Sequence, residues 1–379
     1  YSVTSAQFRP GRVAAPGKTF SSGPAGLSIE SSTREQLVIS MVSPEQVALL
    51  DWLRDFVTER MQRVKIGDSF SERLRIWSGV PEGSVLGPLM FLMFINDLPE
   101  LVRCLIKLFA DDTKMYKSIG GEEDIEALRS SLQKLAQWAD EWQMGYNTNK
   151  CVTLHLGSNN PGITYEASTV TGSFILKNVE EERDLGIIID SSLNFDSHIS
   201  SIISKANRQL GLIRRSFVIR DEKSMLLLYK STVRPILEYG SPIWMPWKKK
   251  DKLRLERVQR RFTKMVEGME GRSYEQRLKA LGMTTLDYRR HREQLIQVFK
   301  IMNGYYDVDY RAFFEKTRSE RTRGHDMKLQ TVRARLKARS NFFSVRVVNE
   351  WNSLPEDAVH SSSLNQFKNQ LVIFRIERP

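Results

Sequence analysis

The chain has 379 residues, of which 41% are hydrophobic and 27% charged, and this composition is typical of a globular protein with more than one domain. Its only cysteines, Cys104 and Cys151, exclude a framework of several disulfides and a cysteine-only zinc cluster. The longest apolar run, 85–98, is interrupted by Gly, Pro, Asn and Asp and is too short to cross a bilayer, so no membrane partner is expected.

The net charge of +12 is unevenly distributed. Residues 1–247 contain 27 Lys or Arg and 29 Asp or Glu, whereas residues 248–379 contain 30 and 16. A basic segment of this size favours binding of a polyphosphate. The alternative is that these charges only solvate exposed helix faces.

The first residues carry few structural signals. Residues 1–44 are rich in Ser, Gly and Pro without periodicity, which predicts a disordered segment. Ser43 and Pro44 are typical of a helix start, and the apolar residues that follow at helical spacing predict an amphipathic helix. Two short apolar runs around Gly67 and Asp68 then predict a hairpin.

A glycine-rich loop and an acidic pair follow. Gly79, Gly83 and Gly87 allow close approach of the backbone to a ligand, and Pro81 fixes the turn. Further on, strand-like runs flank Asp111 and Asp112, which predicts a hairpin with acids at its turn. Adjacent carboxylates suit Mg²⁺ and phosphoryl transfer, but Asp-Asp is also common in solvated turns.

The rest of the chain predicts one more sheet region and then helices, giving an α+β fold. Apolar spacing predicts a helix over 124–142 that covers the sheet and helices from His198 to about Tyr306. Within the helix 253–265, apolar residues face inward and basic residues face outward. The outward residues are Arg254, Arg257, Arg260, Arg261 and Lys264.

The loop SGVPEGSVLGP at 78–88 and the segment FADDTKMY at 109–116 together resemble reverse transcriptases of jockey-like non-LTR retrotransposons. Shorter matches, among them RDLG, VRPILEY and NEWNSLP, extend the resemblance from about residue 49 to the end. The resemblance implies an RNA-directed DNA polymerase that uses two Mg²⁺ ions, an RNA template, a DNA primer and dNTPs. It also implies a location in the nucleus or the cytoplasm.

The resemblance further implies an organisation and roles for single residues. Residues 45–195 would form part of the polymerase palm, an antiparallel sheet with covering helices, 196–306 a helical thumb and 307–379 a small helical C-terminal module. Asp111 and Asp112 would bind metal and Lys150 would protonate the departing pyrophosphate, although the residues alone place Lys150 only at a strand end. The other assigned residues are Gly79, Pro81, Glu82, Gly83 and Ser84 for template and nucleotide, Leu185 and Gly186 for the primer grip, and the five basic residues of 253–265 for the nucleic-acid backbone.

Two departures from the family pattern bear on activity. Nothing between Tyr1 and Asp51 matches the motif that carries the first metal-binding aspartate of the family. Glu82 stands where the family usually has Gln, which adds negative charge near the nucleotide phosphates. The sequence therefore predicts a truncated palm and an incomplete, inactive polymerase; the alternative is a non-catalytic nucleic-acid-binding remnant of a retrotransposon.

Overall fold

The computed structural model describes residues 2–10, 44–81, 83–157, 159–317 and 324–377. The chain divides into two compact units, Tyr1–Glu180 and Glu181–Pro379. The first contains a mostly antiparallel sheet with helices, and the second is largely helical. The predicted mixture of helices and antiparallel strands is confirmed at this level.

The elements of the first unit are short except for one helix. Its strands are β1 (Ser2–Pro10), β2 (Met61–Gln62), β3 (Lys65–Ile66), β4 (Ser69–Phe70), β5 (Leu74–Arg75), β6 (Leu105–Phe109), β7 (Asp112–Lys117), β8 (Met144–Tyr146), β9 (Val152–His155), β10 (Glu166–Thr169), β11 (Gly172–Ile175) and β12 (Lys177–Val179). Its helices are α1 (Pro44–Val57), α2 (Leu86–Phe94), α3 (Leu98–Leu101) and α4 (Glu122–Glu141), with a 3₁₀ turn at Thr148–Lys150.

Six strands form the main sheet in the order β12-β9-β1-β7-β6, with β8 continuing alongside β1. All pairs are antiparallel except β12 with β9, so the sheet is mixed rather than purely antiparallel. Helix α4 covers the sheet with a stripe of buried residues that the 3.6-residue period predicts. This stripe comprises Ile125, Leu128, Leu132, Leu135 and Trp138.

Strand β1 corrects one expectation from the sequence. Residues 1–44 were predicted to be disordered, yet Ser2–Pro10 lies in the sheet between β7 and β9. Backbone pairing with two strands more than 100 residues away defines this strand, and such non-local pairing leaves no periodic signal in the segment itself. Residues 11–43 lie outside the described residues.

The elements of the second unit are a hairpin followed by helices. The hairpin consists of β13 (Glu181–Asp184) and β14 (Ile187–Asp190). The helices are α5 (Asp196–Ser216), α6 (Glu222–Leu228), α7 (Arg234–Glu238), α8 (Ser241–Trp244), α9 (Lys249–Thr263), α10 (Tyr274–Ala280), α11 (Leu286–Met302), α12 (Lys337–Ser340), α13 (Phe343–Arg346), α14 (Val348–Asn352), α15 (Glu356–Val359) and α16 (Leu364–Glu377), with a π-helical turn at Tyr229–Val233 and a 3₁₀ turn at Tyr310–Ala312.

Two hydrophobic clusters hold the second unit together. Ile187 of β14 packs among residues of α5 to α9, so this hairpin belongs with the helices, and the predicted palm boundary at residue 195 falls after it. Phe299 of α11 packs in one cluster with Trp351 and Phe367. The predicted boundary at residue 306 therefore separates residues that belong to the same hydrophobic core. Among the helices of the described residues, none is long and apolar enough to cross a membrane.

Candidate metal and nucleic-acid site

The acidic pair lies where the sequence places it, at the turn of the hairpin β6–β7. Phe109 and Asp112 are the last paired residues, so Ala110 and Asp111 form a two-residue turn. Ala110 has a φ of 50°, a left-handed conformation that costs an L-residue about 1–2 kcal/mol. Asp111 is exposed and Asp112 half-buried, so the hairpin prediction is confirmed and both carboxylates lie at one end of the sheet.

Strand β1 lies directly beside this acidic turn. Its residue Gln7 pairs with Asp112 across the antiparallel ladder. The nine residues of β1 include no Asp or Glu. Within the described ranges, no three His, Cys, Asp or Glu residues come together in a group that could hold a metal ion.

Lys150 lies at the same end of the sheet as the acidic turn. It closes the 3₁₀ turn that precedes β9, and it is exposed. Val152 at the start of β9 pairs with Ser5, two residues before Gln7 on β1. Lys150 and Asp112 are therefore separated across the sheet by the intervening strand β1.

The glycine-rich loop between β5 and α2 is held by its own hydrogen bonds. Gly79 and Gly83 both have a φ of 78°, so each glycine provides a left-handed conformation. The Ser84 hydroxyl donates to the Pro81 carbonyl at 2.7 Å and accepts from the Gly87 N–H at 2.9 Å. Glu82, the residue that departs from the family pattern, lies outside the described residues.

Arg60, which the sequence does not single out, and Gly87, one of the three loop glycines, shape this loop. Arg60 donates to the carbonyls of Ser78 and Gly79 and to Val57 at the end of α1, so it ties the helix to the loop. A Cβ on Gly87 would lie 2.8 Å from the Pro81 carbonyl oxygen, so this position has no room for a side chain. No local pattern around Arg60 indicates its role, because its partners are backbone carbonyls.

The predicted primer-grip residues form the turn of the hairpin β13–β14. Leu185 and Gly186 have φ angles of 43° and 88°, which is typical of a type I′ turn. The Tyr239 hydroxyl donates to the Leu185 carbonyl at 3.0 Å. This role of Tyr239 was missed, although its segment VRPILEY contributed to the family resemblance.

The outward basic face of α9 is present with one correction. Arg257, Arg260, Arg261 and Lys264 are exposed. Arg254 is instead only half-exposed, because it pairs with the buried Asp251 at 3.0 Å and donates to Ser200 at 2.9 Å. Arg254 therefore stabilises the helix packing and is a weaker candidate for phosphate contact than the other four.

The inner face of α9 carries polar residues that the apolar stripe did not predict. Glu256 and Gln259 are buried, and both bond to the Tyr274 hydroxyl. Burial raises the pKa of the Glu256 carboxyl, although hydrogen bonds from Tyr274 and from the Leu286 N–H oppose this. The cluster joins α9 to the start of α11 and so fixes the orientation of the basic face.

An acidic hairpin turn in a sheet covered by a helix, with a glycine-rich loop in the same unit, is typical of a candidate metal-dependent phosphoryl-transfer domain. Residues 31–189, which are 159 of the 379 residues, match the family described as reverse transcriptase (RNA-dependent DNA polymerase). Strand β1 lies outside the matched residues.

The relatives that the chain matches are described as RNA-directed DNA polymerases of mobile elements. The chain is 28% identical over 218 residues to the RNA-directed DNA polymerase from mobile element jockey of Drosophila melanogaster, covering 53% of this chain and 23% of that protein. For its counterpart in Drosophila funebris the identity is 28%, covering 54% and 23%. A "Probable RNA-directed DNA polymerase from transposon X-element" of Drosophila melanogaster is 24% identical, covering 58% and 25%. The chain thus spans about a quarter of the length of these relatives.

Proposed function

We propose that the chain provides the hairpin end of a polymerase palm and a nucleic-acid-binding helical unit for RNA-directed DNA synthesis. Its substrates would be an RNA template, a DNA primer and dNTPs. The observation that carries this proposal is the position of Asp111 and Asp112 at a sheet-bound hairpin turn within the matched residues 31–189.

The acidic pair fits part of a magnesium site. Mg²⁺ in phosphoryl-transfer sites is held by one or two carboxylates together with substrate phosphates and water, and Asp111 and Asp112 offer such a pair. When bound, the ion would lower the pKa of the attacking hydroxyl and neutralise developing charge on the phosphate oxygens. The proposed ligands are the carboxylates of these two residues.

The other site residues would position the nucleic acid. Gly79, Pro81, Gly83 and Ser84 form a loop whose backbone groups can approach a nucleotide, and Glu82 would weaken that approach by repulsion. Lys150 would donate a proton to the leaving pyrophosphate, since it lies at the same end of the sheet as Asp112. The turn Leu185–Gly186 would hold the primer end through its backbone.

We further propose that this chain alone does not catalyse synthesis. Two-metal transfer requires carboxylates from two strands that bridge the ions. The strand beside the acidic hairpin, β1, contains no acid, and Gln7 occupies the position opposite Asp112. Loss of one bridging carboxylate removes several kcal/mol of electrostatic stabilisation, which corresponds to orders of magnitude in rate.

A primer-extension assay on an RNA template with Mg²⁺ or Mn²⁺ tests this proposal. The intact chain is expected to give no product. In thermal unfolding with Mn²⁺, Gln7→Asp, which places an acid opposite Asp112, should be stabilised more by the metal than the parent is. Gln62→Asp on the exposed strand β2 is the matched control and should respond to Mn²⁺ like the parent. Extension by the parent that disappears in Asp111→Ala would contradict the proposed inactivity.

A second candidate function is nucleic-acid binding without catalysis. The exposed Arg257, Arg260 and Arg261 on α9, with Lys264 directly after its end, favour it, because several cations on one helix face can contact successive phosphates. Affinity would then fall steeply with salt and depend little on sequence. This function needs no metal and is compatible with an inactive palm.

A further inference from the structure

The segment between α1 and the glycine-rich loop forms one exposed hairpin. The strands β2 and β5 pair at its base, and β3 and β4 pair at its tip around Gly67, which has a φ of 58°. Between the two ladders, the Ser71 N–H donates to the Val64 carbonyl at 2.9 Å, so the hairpin is continuous. Every residue from 61 to 75 is exposed, so these side chains contribute little to the core.

The register assigns the side chains of this hairpin to two faces. Met61 pairs with Arg75 and Lys65 pairs with Phe70. Three residues lie between Met61 and Lys65, whereas four lie between Phe70 and Arg75, so the second strand contains a bulge of one extra residue. Because paired residues lie on the same face and Met61 and Lys65 share a face, Phe70 and Arg75 also lie on that face. We call this the basic-aromatic face; it comprises Met61, Arg63, Lys65, Phe70, Arg75 and Trp77.

The basic-aromatic face pairs each of its aromatic rings with a cation. The Arg63 guanidinium lies 4.0 Å from the centre of the Phe70 ring, and that of Arg75 lies 4.5 Å from the Trp77 ring. Phe70 is 50% exposed and Trp77 70% exposed. Rings that are held by arginines and open to solvent offer stacking platforms for bases, with cations beside them for phosphates.

The opposite face has a different chemistry. It carries Val64, Ile66 and Leu74, which are aliphatic and exposed. We call it the aliphatic face. The two rings and the cations Arg63, Lys65 and Arg75 thus lie on one side, which the bulge residues Glu72 and Arg73 share, and residues 60–77 contain five Lys or Arg against two Asp or Glu. Charge complementarity therefore favours a polyanion as the occupant of the basic-aromatic face.

The base of the hairpin is fixed to the glycine-rich loop. Arg60 begins the hairpin, because its carbonyl accepts from the Ile76 N–H at 2.8 Å. Its guanidinium donates to the carbonyls of Ser78 and Gly79. A strand of nucleic acid on the basic-aromatic face would therefore run from the hairpin toward the loop.

We propose that the basic-aromatic face of hairpin 60–77 binds single-stranded RNA by stacking bases on Phe70 and Trp77 and pairing phosphates with Arg63, Lys65 and Arg75. The inference rests on the proposed function for its ligand, since the strand it would hold is the template. It adds a binding surface that is separate from the basic face of α9.

The test measures binding of a labelled single-stranded RNA and of an RNA–DNA duplex to the full chain across a salt series. Phe70→Ala with Trp77→Ala should weaken single-strand affinity about tenfold or more, because the stacking platforms are removed, and should leave duplex affinity unchanged. A variant with Arg63, Lys65 and Arg75 changed to Gln should show a shallower fall of log affinity with log salt concentration. The slope should decrease by about 0.7 for each phosphate that the variant no longer neutralises. Circular dichroism checks that each variant keeps the parent fold.

The matched control changes Val64, Ile66 and Leu74 of the aliphatic face to Ala and should bind both ligands like the parent. Equal loss of single-strand affinity in this control, or parent-like single-strand affinity in the Phe70 and Trp77 variant, would overturn the proposal. Duplex binding, measured in a variant with Arg257, Arg260, Arg261 and Lys264 changed to Gln, reports the second candidate function separately. If single-strand affinity does not depend on the hairpin while duplex binding is intact, only the inference about the hairpin is refuted.

Discussion

The hairpins β6–β7 and β13–β14 both close with a two-residue turn that begins in the left-handed region, at Ala110 with φ 50° and at Leu185 with φ 43°. The first is held by its sheet, because β7 pairs with β6 on one side and β1 on the other. Within the described ranges, the strands of the second pair with each other and with no other strand, and the hairpin is contacted by Tyr239 and His198 from neighbouring helices. The acidic turn should therefore tolerate changes of nearby side chains, whereas the Leu185 turn should not.

The largest expected difference between the hairpins concerns pH. His198 is 2% exposed, and its Nδ1 accepts from the Ile188 N–H at 3.2 Å. Burial, together with the charges of Lys205 and Arg183, lowers the pKa of His198 from 6.5 to about 4. Between these values the unfolded chain binds the proton and the folded chain does not, so stability present above pH 6.5 is lost as the pH falls toward 4. The loss should reach about 3 kcal/mol.

This pH effect should be local to the second unit. Amide exchange at Ile188 should accelerate between pH 6.5 and 4 relative to its intrinsic rate, while exchange at Met115 in β7 should not. Urea unfolding at several pH values should show this loss of folding stability in the parent. The loss should be smaller in His198→Gln, because the Gln side chain cannot be protonated in this pH range. A variant with the same pH dependence as the parent would show that His198 is not responsible.

The contrast between the hairpins also shows what a sequence can predict. Asp111 and Asp112 were placed correctly because turn chemistry and apolar runs are local signals. Strand β1 was missed because its partners are distant in the chain, and no local period marks it. Family resemblance assigned Leu185 and Gly186 to a primer grip, but it showed neither that they form a turn nor which helix side chains contact that turn.

The basic helix α9 shows a second limit. The helical period correctly assigned Arg257 to the exposed face and Phe262 to the core. The period cannot show that Arg254 is drawn to Asp251, or that Glu256 is buried with Tyr274 as its partner. Both depend on tertiary contacts, and burial of a charge is decided by its hydrogen-bond partners rather than by its spacing.

A smaller effect is expected from Tyr239→Phe, which removes the hydroxyl that donates to the Leu185 carbonyl. The loss should be about 1 kcal/mol or less, since Tyr239 is largely exposed. Amide exchange in the Leu185–Gly186 turn should increase. The control is Tyr306→Phe, which also loses a hydroxyl hydrogen bond, to Gln297, and should leave this turn unchanged. Equal exchange in both variants would mean that the turn does not need Tyr239.

The smallest expected effect is on the acidic turn itself. Asp111→Asn removes one of two adjacent negative charges at an exposed turn and keeps the size of the side chain. Because sheet pairing rather than the acid holds this hairpin, the free energy of unfolding should stay the same or rise by up to about 1 kcal/mol at low salt. Any gain should vanish at high salt, where the repulsion is screened. A clear drop in melting temperature would instead show that Asp111 stabilises the fold. The two adjacent acids would then have a structural explanation, and their repulsion would no longer support a role in metal binding.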